Sequence, residues 1–140
     1  MKIQILNRYD SSVIFECEAK DLRQAVEIAV RDKIDLENAN LSCADFSGAN
    51  FENAAIKYSN FKDSNLKNAN LKNAKLQCSD FYGANFENAN LENADLRHGI
   101  FSGEDFENTY FEKANLKNTI LENKILEDGC IEEDEDQEIA

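Results

Sequence analysis

The chain has 140 residues with no proline and no tryptophan, a single histidine, a single methionine and only five glycines. One histidine, His98, excludes any site built from several imidazoles. It also weakens a Ser/His/Asp arrangement, because no nucleophile is fixed beside it by spacing, and it is read as a surface residue. The glycines at 48, 83, 99, 103 and 129 are isolated, so no glycine-rich loop exists to cradle a phosphate. No apolar run approaches the length of a bilayer span, and Met1-Lys2-Ile3-Gln4-Ile5-Leu6-Asn7-Arg8 has no signal-peptide core. A cytoplasmic location is expected. Cys17, Cys43, Cys78 and Cys130 are scattered without a CxxC pair, the usage of free thiols rather than of a zinc site or a disulfide framework. Neither a cofactor nor a metal is expected.

Positive charge is also scarce: 15 Lys and Arg stand against 28 Asp and Glu, a net charge of −13. Nucleic acids and anionic membranes both require a positive surface, so direct binding to either is not expected. The excess is uneven, with net charges of 0 over residues 1–33, −5 over 34–126 and −8 over 127–140.

What is present is a period. From Leu36 to Ile131 every fifth residue is large and apolar, twenty matches without an interruption. Two residues before most of them stands a small residue, such as Ala39, Ala49, Ser59, Ala69, Ser79 or Ala89, and the residue between is usually Asn or Asp. A period of five fits neither the 3.6 of a helix nor the 2 of a strand. If each unit forms one side of a square coil, the Leu or Phe and the small residue point inward, and the rest faces solvent or a corner. Two bulky side chains per unit would overfill so narrow an interior, hence the small residue.

This A-(N/D)-(L/F)-x-x pattern resembles the pentapeptide-repeat family. The resemblance implies an all-β solenoid, a right-handed quadrilateral β-helix that winds four of the five-residue units into each coil. About five coils would follow, a tower on the order of 24 Å tall at ~4.8 Å per strand. Inward columns are expected from every fourth unit, Phe61 over Phe81 over Phe101 and Phe86 over Phe106. The small inward position is broken by Glu104 and Lys124, which on the same register either pair with each other in the wall or turn outward together.

Residues 1–33 do not repeat. Ile3 and Ile5 alternate with polar neighbours, Tyr9-Asp10-Ser11-Ser12 reads as a turn, and Val13, Phe15 and Cys17 alternate again, which predicts a β-hairpin. A helix follows, with Asp21 as N-cap, Gln24 three residues on, and a stripe of Leu22, Ala25, Val26, Ala29 and Val30. This strand-strand-helix element is expected to cap the first coil, since a solenoid end exposes core and strand edges. The organisation is thus a cap over 1–33, a β-helix over 34–131 and an acidic, disordered tail over 132–140. Near the far end Ile120, Ile125 and Cys130 replace Asn or Asp, apolar residues suited either to plug the last coil or to form a homodimer contact.

No pair of carboxylates in unlike environments is marked out for acid–base work, and the unbroken register leaves no long loops to build a cleft. The chain is read as a non-catalytic scaffold for an unknown protein partner. Stepping by four units places Glu87, Glu107 and Glu127 on one side and Glu92, Glu112 and Glu132 on the next, an acidic strip proposed for partner binding. An opposing column holds Lys57, Gln77, Arg97 and Lys117, with Lys75 nearby. The resemblance implies an alternative role, because some members of the family inhibit DNA gyrase or protect it from quinolones by an acidic face similar to duplex DNA. The small charge of the repeat region, the short tower and the lack of protruding loops argue against that role here.

Overall fold

A computed structural model describes residues 1–101, 109–110, 112–121 and 124–126, with side chains through residue 120. Strands β1 (Lys2–Leu6) and β2 (Val13–Glu18) form the antiparallel hairpin, with Ile3 opposite Cys17 and Ile5 opposite Phe15. In its turn Asn7 Oδ1 accepts from the Tyr9 N–H and Asp10 Oδ1 accepts from the Ser12 N–H, side chains standing in for backbone acceptors. Helix α1 (Leu22–Arg31) begins at Asp21, whose carboxylate accepts from the Gln24 N–H at 2.9 Å. The Gln24 side chain reaches back to the Lys20 N–H, one residue earlier than in a standard capping box. Ala25, Val26 and Ala29 are buried, and Leu22 and Val30 pack partly buried against the core.

Hairpin and helix are fastened to the repeats by backbone and side chain alike. Asn40 N–H donates to Leu6 O at 2.8 Å, Arg8 N–H donates to Asn38 O at 2.7 Å, and the Glu27 carboxylate accepts from the Asn50 N–H at 2.9 Å. Ile5, Val26 and Ala29 share one apolar cluster with Leu36, Ala39 and Leu41.

From there the four-unit register is explicit. Parallel bridges join Asn40 to Asn60, Asp45 to Asn65, Asn50 to Asn70 and Ala55 to Lys75, and the same four ladders step onward through Asp80, Asn85, Asn90 and Asp95. Each rung has a donor from both layers: Leu41 N–H reaches Asn60 O at 2.7 Å, while Asn60 N–H reaches Ala39 O at 2.9 Å. The central residues from Leu36 to Leu96 are all buried, and Ala49, Ala69 and Ala89 line the same interior. Inward hydroxyls find acceptors, Ser59 donating to Leu36 O at 3.2 Å and Thr109 to Phe86 O at 2.7 Å. Ser64 Oγ is buried without a partner among the described residues.

Two local devices close each side. The central carbonyl accepts the N–H three residues on, as from Ala69 to Leu66 O at 3.0 Å, and the residue before that donor has positive φ, +60° at Asn68. Positive φ at the third residue of such a turn is the type II signature, and Asn tolerates it better than most L residues. Gly48 and Gly83 occupy the same position at +66° and +77°. The second device is the residue before the centre. Its side-chain oxygen accepts the N–H two residues on, as Asn65 does from Lys67, Asn85 from Glu87 and Asp95 from Arg97. These Asx turns are why Asn and Asp fill that position.

Phe61, Phe81 and Phe101 stack in the interior with centroids 5.0 Å apart and planes 14° and 9° from parallel, the column expected from the register. The Phe106 partner expected for Phe86 lies outside the described residues. On the same side of the coil β3 (Asp80–Phe81), β4 (Ile100–Phe101) and β5 (Thr119–Leu121) run parallel, each one coil beyond the last. Then the direction changes: β6 (Lys124–Leu126) pairs antiparallel with β5, Leu121 opposite Lys124. The five-residue pattern continues through this reversal and does not foretell it. Ile120 occupies the position where Asn or Asp folds the next Asx turn; it has no side-chain oxygen to do so, and its branched side chain favours extended strand. The Glu104 of the expected Glu104–Lys124 pair lies outside the described residues. The parallel register assumed for Lys124 is not the one found, since its backbone faces Leu121.

Candidate interaction surface

With two of every five residues inward, the chemistry open to a partner lies on the remaining positions, and structural duty removes part of it. The Asx residues are committed to turns: Asp45 Oδ1 takes the Ser47 N–H at 3.0 Å, which holds its carboxyl below the usual value of 3.8. Neither turn device uses the side chain directly after each central residue. Stacked layers place it over its equivalent in the next coil.

The acidic strip is present in its described part. Glu87 and Glu92 lie half-buried on two successive sides, and Glu112 stands one layer beyond Glu92 and is exposed. They do not stand alone. Lys67 Nζ approaches Glu87 at 3.8 Å, and Lys72 Nζ approaches Glu92 at 4.0 Å, each from the preceding layer. The Tyr110 hydroxyl donates to Glu112, and this bond, first among its causes, raises the phenol's pKa above its ordinary value. Pairs this exposed contribute at most about 1 kcal/mol each. Their effect on the surface is to mute the strip at its N-terminal end. Glu107, Glu127 and Glu132, the other members of the expected strip, lie outside the described residues.

The pairing lysines belong to a feature that the coil-by-coil step hides. Stepping by five, Lys57, Lys62, Lys67 and Lys72 follow four successive central residues and so occupy all four sides of one layer. A cationic belt therefore encircles the coil below the glutamates.

The opposing column is also present. Lys57 and Arg97 are exposed, Gln77 is half-buried with its Oε1 buried and without a partner among the described residues, and Lys75 is exposed beside them. Arg97 is neutralised by Asp95, Nη2 to Oδ2 2.7 Å, and no ion pair joins Lys57, Lys75 or Lys117 among the described residues. A groove of about 600 Å³ runs along this side, with Ala55, Lys57, Lys75, Gln77 and Arg97 among its walls. A second groove of about 690 Å³ separates α1 from the coil, with Ile28, Val30, Ile34 and Ala54 on its walls.

His98 is exposed at a turn position with φ +60°, its backbone N–H donating to Lys117 O at 3.1 Å. Cys17, Cys43 and Cys78 are free thiols. Among the described residues no group of three or more metal-ligating side chains forms, and no helix is long and apolar enough to cross a membrane.

A family model described as a pentapeptide repeat region matches residues 34–105, and a second, for pentapeptide repeats in eight copies, matches residues 89–128. No curated protein matches the chain. Among solved structures it is similar to HetL, a pentapeptide repeat protein involved in heterocyst differentiation regulation from the cyanobacterium Nostoc sp. strain PCC 7120. The identity is 28% and the TM-score 0.41, over 65% of this chain and 42% of that one, so the chain spans less than half of HetL's length. It is also similar to alr5209, a pentapeptide repeat protein of the same Nostoc strain, at 23% identity and TM-score 0.45, over 75% of this chain and 88% of that one. A third likeness is to QnrB1, a plasmid-mediated fluoroquinolone resistance protein, at 20% identity and TM-score 0.37, over 61% of this chain and 54% of that one. With two family models covering the repeats from residue 34 to 128, and with the five-residue unit and four-unit bridging observed, the chain belongs to the pentapeptide-repeat family.

Proposed function

We propose that this chain is a non-catalytic, rigid scaffold for protein–protein interaction, working in the cytoplasm without cofactor or metal. Its parts are a strand-strand-helix cap over 1–33, a right-handed quadrilateral β-helix of about five coils over 34–131, and an acidic tail over 132–140. The observation that carries the reading is the set of four hydrogen-bonded ladders, which hold exposed side chains in columns one strand spacing apart. A surface fixed in this way loses little conformational freedom when a partner docks. The partner-binding face is the acidic strip of Glu87, Glu92, Glu107, Glu112, Glu127 and Glu132. The partner is a protein, neither nucleic acid nor membrane, and the C-terminal end offers a contact for a homodimer.

The test is affinity capture with the wild-type chain beside a Glu87→Gln, Glu92→Gln, Glu112→Gln variant of unchanged melting temperature. The reading expects a protein retained by the first and lost from the second. Identical retention by both would remove the strip from the account. A second reading, an acidic DNA mimic acting on DNA gyrase, is favoured by the same strip and opposed by the lysines that pair with it. A supercoiling assay separates the two, since a scaffold of another kind neither slows gyrase nor protects it from a quinolone.

A further inference from the structure

The column of Lys57, Lys75, Arg97 and Lys117 has no role in the acidic-strip reading. The structure gives it three properties together. Lys57, Lys75 and Arg97 line a groove with Ala55, which stands where most units have Asn or Asp, and Lys117 lies one coil beyond Arg97. Lys57, Lys75 and Lys117 are exposed with no carboxylate paired to them among the described residues. The acids beside them are already engaged, Asp95 with Arg97 and Asp35 with the Glu37 N–H at 3.0 Å. Lys57 and Lys75 stand one layer apart and Lys117 two layers further, a spread that suits an extended, carboxylate-rich segment better than a compact anion.

Such a segment exists in the same chain. Residues 127–140 carry eight acidic and no basic side chains, densest from Glu132 to Glu138. The chain enters them from β6, whose Leu126 lies opposite Thr119, two residues beyond Lys117. From Lys117 to Lys57 is three layers, about 14 Å, and the seven residues from Leu126 to Glu133 extend to about 23 Å. We propose that the acidic run Glu133–Glu138 docks along the Lys57–Lys75 groove of its own chain, passing Lys117 on the way.

The test uses the full-length protein, as a mixture of isotopically light and heavy chains, treated with a zero-length carbodiimide cross-linker and mapped by mass spectrometry. Docking in cis predicts links from the tail carboxylates to Lys57, Lys75 and Lys117 within one isotopic chain, falling about fivefold when salt is raised from low to high. Tail links spread equally over Lys2, Lys20 and Lys33 would overturn the proposal, and links joining light to heavy chains would assign the groove to a second copy instead. A Lys57→Gln, Lys75→Gln variant changes two exposed residues and should keep the fold. Backbone chemical shifts of residues 133–138 should move in it toward those of the isolated peptide, and unchanged shifts would contradict docking.

Discussion

At the scale of the residue, the repeat is explained by three backbone requirements rather than by hydrophobicity alone. Asn68, Asn73 and Asn88 hold φ near +60°, where a Cβ crowds the following carbonyl. Asn68→Val should therefore cost on the order of 1–2 kcal/mol, while Asn68→Gly should be nearly neutral, as read by urea unfolding. The residue before the centre acts through its oxygen. Asn70→Ala removes the acceptor for the Lys72 N–H, 3.1 Å away, and should cost about 1 kcal/mol, whereas Asn70→Asp should retain the turn. At Asp45 the same bond makes stability depend on pH. Its folded pKa is lowered by hydrogen bonds from Ser47, so its contribution is complete above the ordinary value of 3.8 and is lost as pH falls through the lower folded value. Asp45→Asn should flatten that part of an acid titration while leaving neutral stability almost unchanged. The sequence displayed all these residues, but only their spacing was legible. That Asn at two distinct positions does two distinct jobs required the backbone conformation.

At the scale of the element, the period predicts the interior well. Leu and Phe at every fifth position are inward, and Phe81 lies between Phe61 and Phe101 with both rings 5.0 Å away. Stacked layers tied by backbone bonds cannot collapse into a void. Phe81→Ala should accordingly cost about 3–5 kcal/mol, measured by thermal or denaturant melting. The helix and hairpin were equally legible, because Ala25, Val26 and Ala29 share one helical face and Ile5 alternates with polar neighbours. The return of β6 was not. A five-residue pattern records which residues are apolar, and antiparallel pairing of Ile120 with Ile125 satisfies that pattern as readily as another coil would.

At the scale of the whole molecule, charge organises the surface by layer as well as by side. The acidic strip and the opposing column repeat once per coil, whereas the belt of Lys57, Lys62, Lys67 and Lys72 runs around a single layer and crosses both. The candidate site was legible as a pattern of glutamates but not as a potential, because Lys67 and Lys72 reach Glu87 and Glu92 from the layer before. Strip, column and belt all depend on residues four units apart in sequence being neighbours in space. That claim is tested most directly by paired cysteines on a background in which the native cysteines are serine. Asn68 and Asn88 occupy equivalent turns in adjacent layers, with Asn68 N–H donating to Glu87 O at 2.9 Å. One strand spacing of ~4.8 Å lies within the Cα separation a disulfide accepts. Asn68→Cys with Asn88→Cys should oxidise under mild conditions with the melting temperature maintained, and Asn68→Cys with Asn93→Cys, one turn further around the coil, should remain reduced. Preferential closure of the second pair would contradict the four-unit coil.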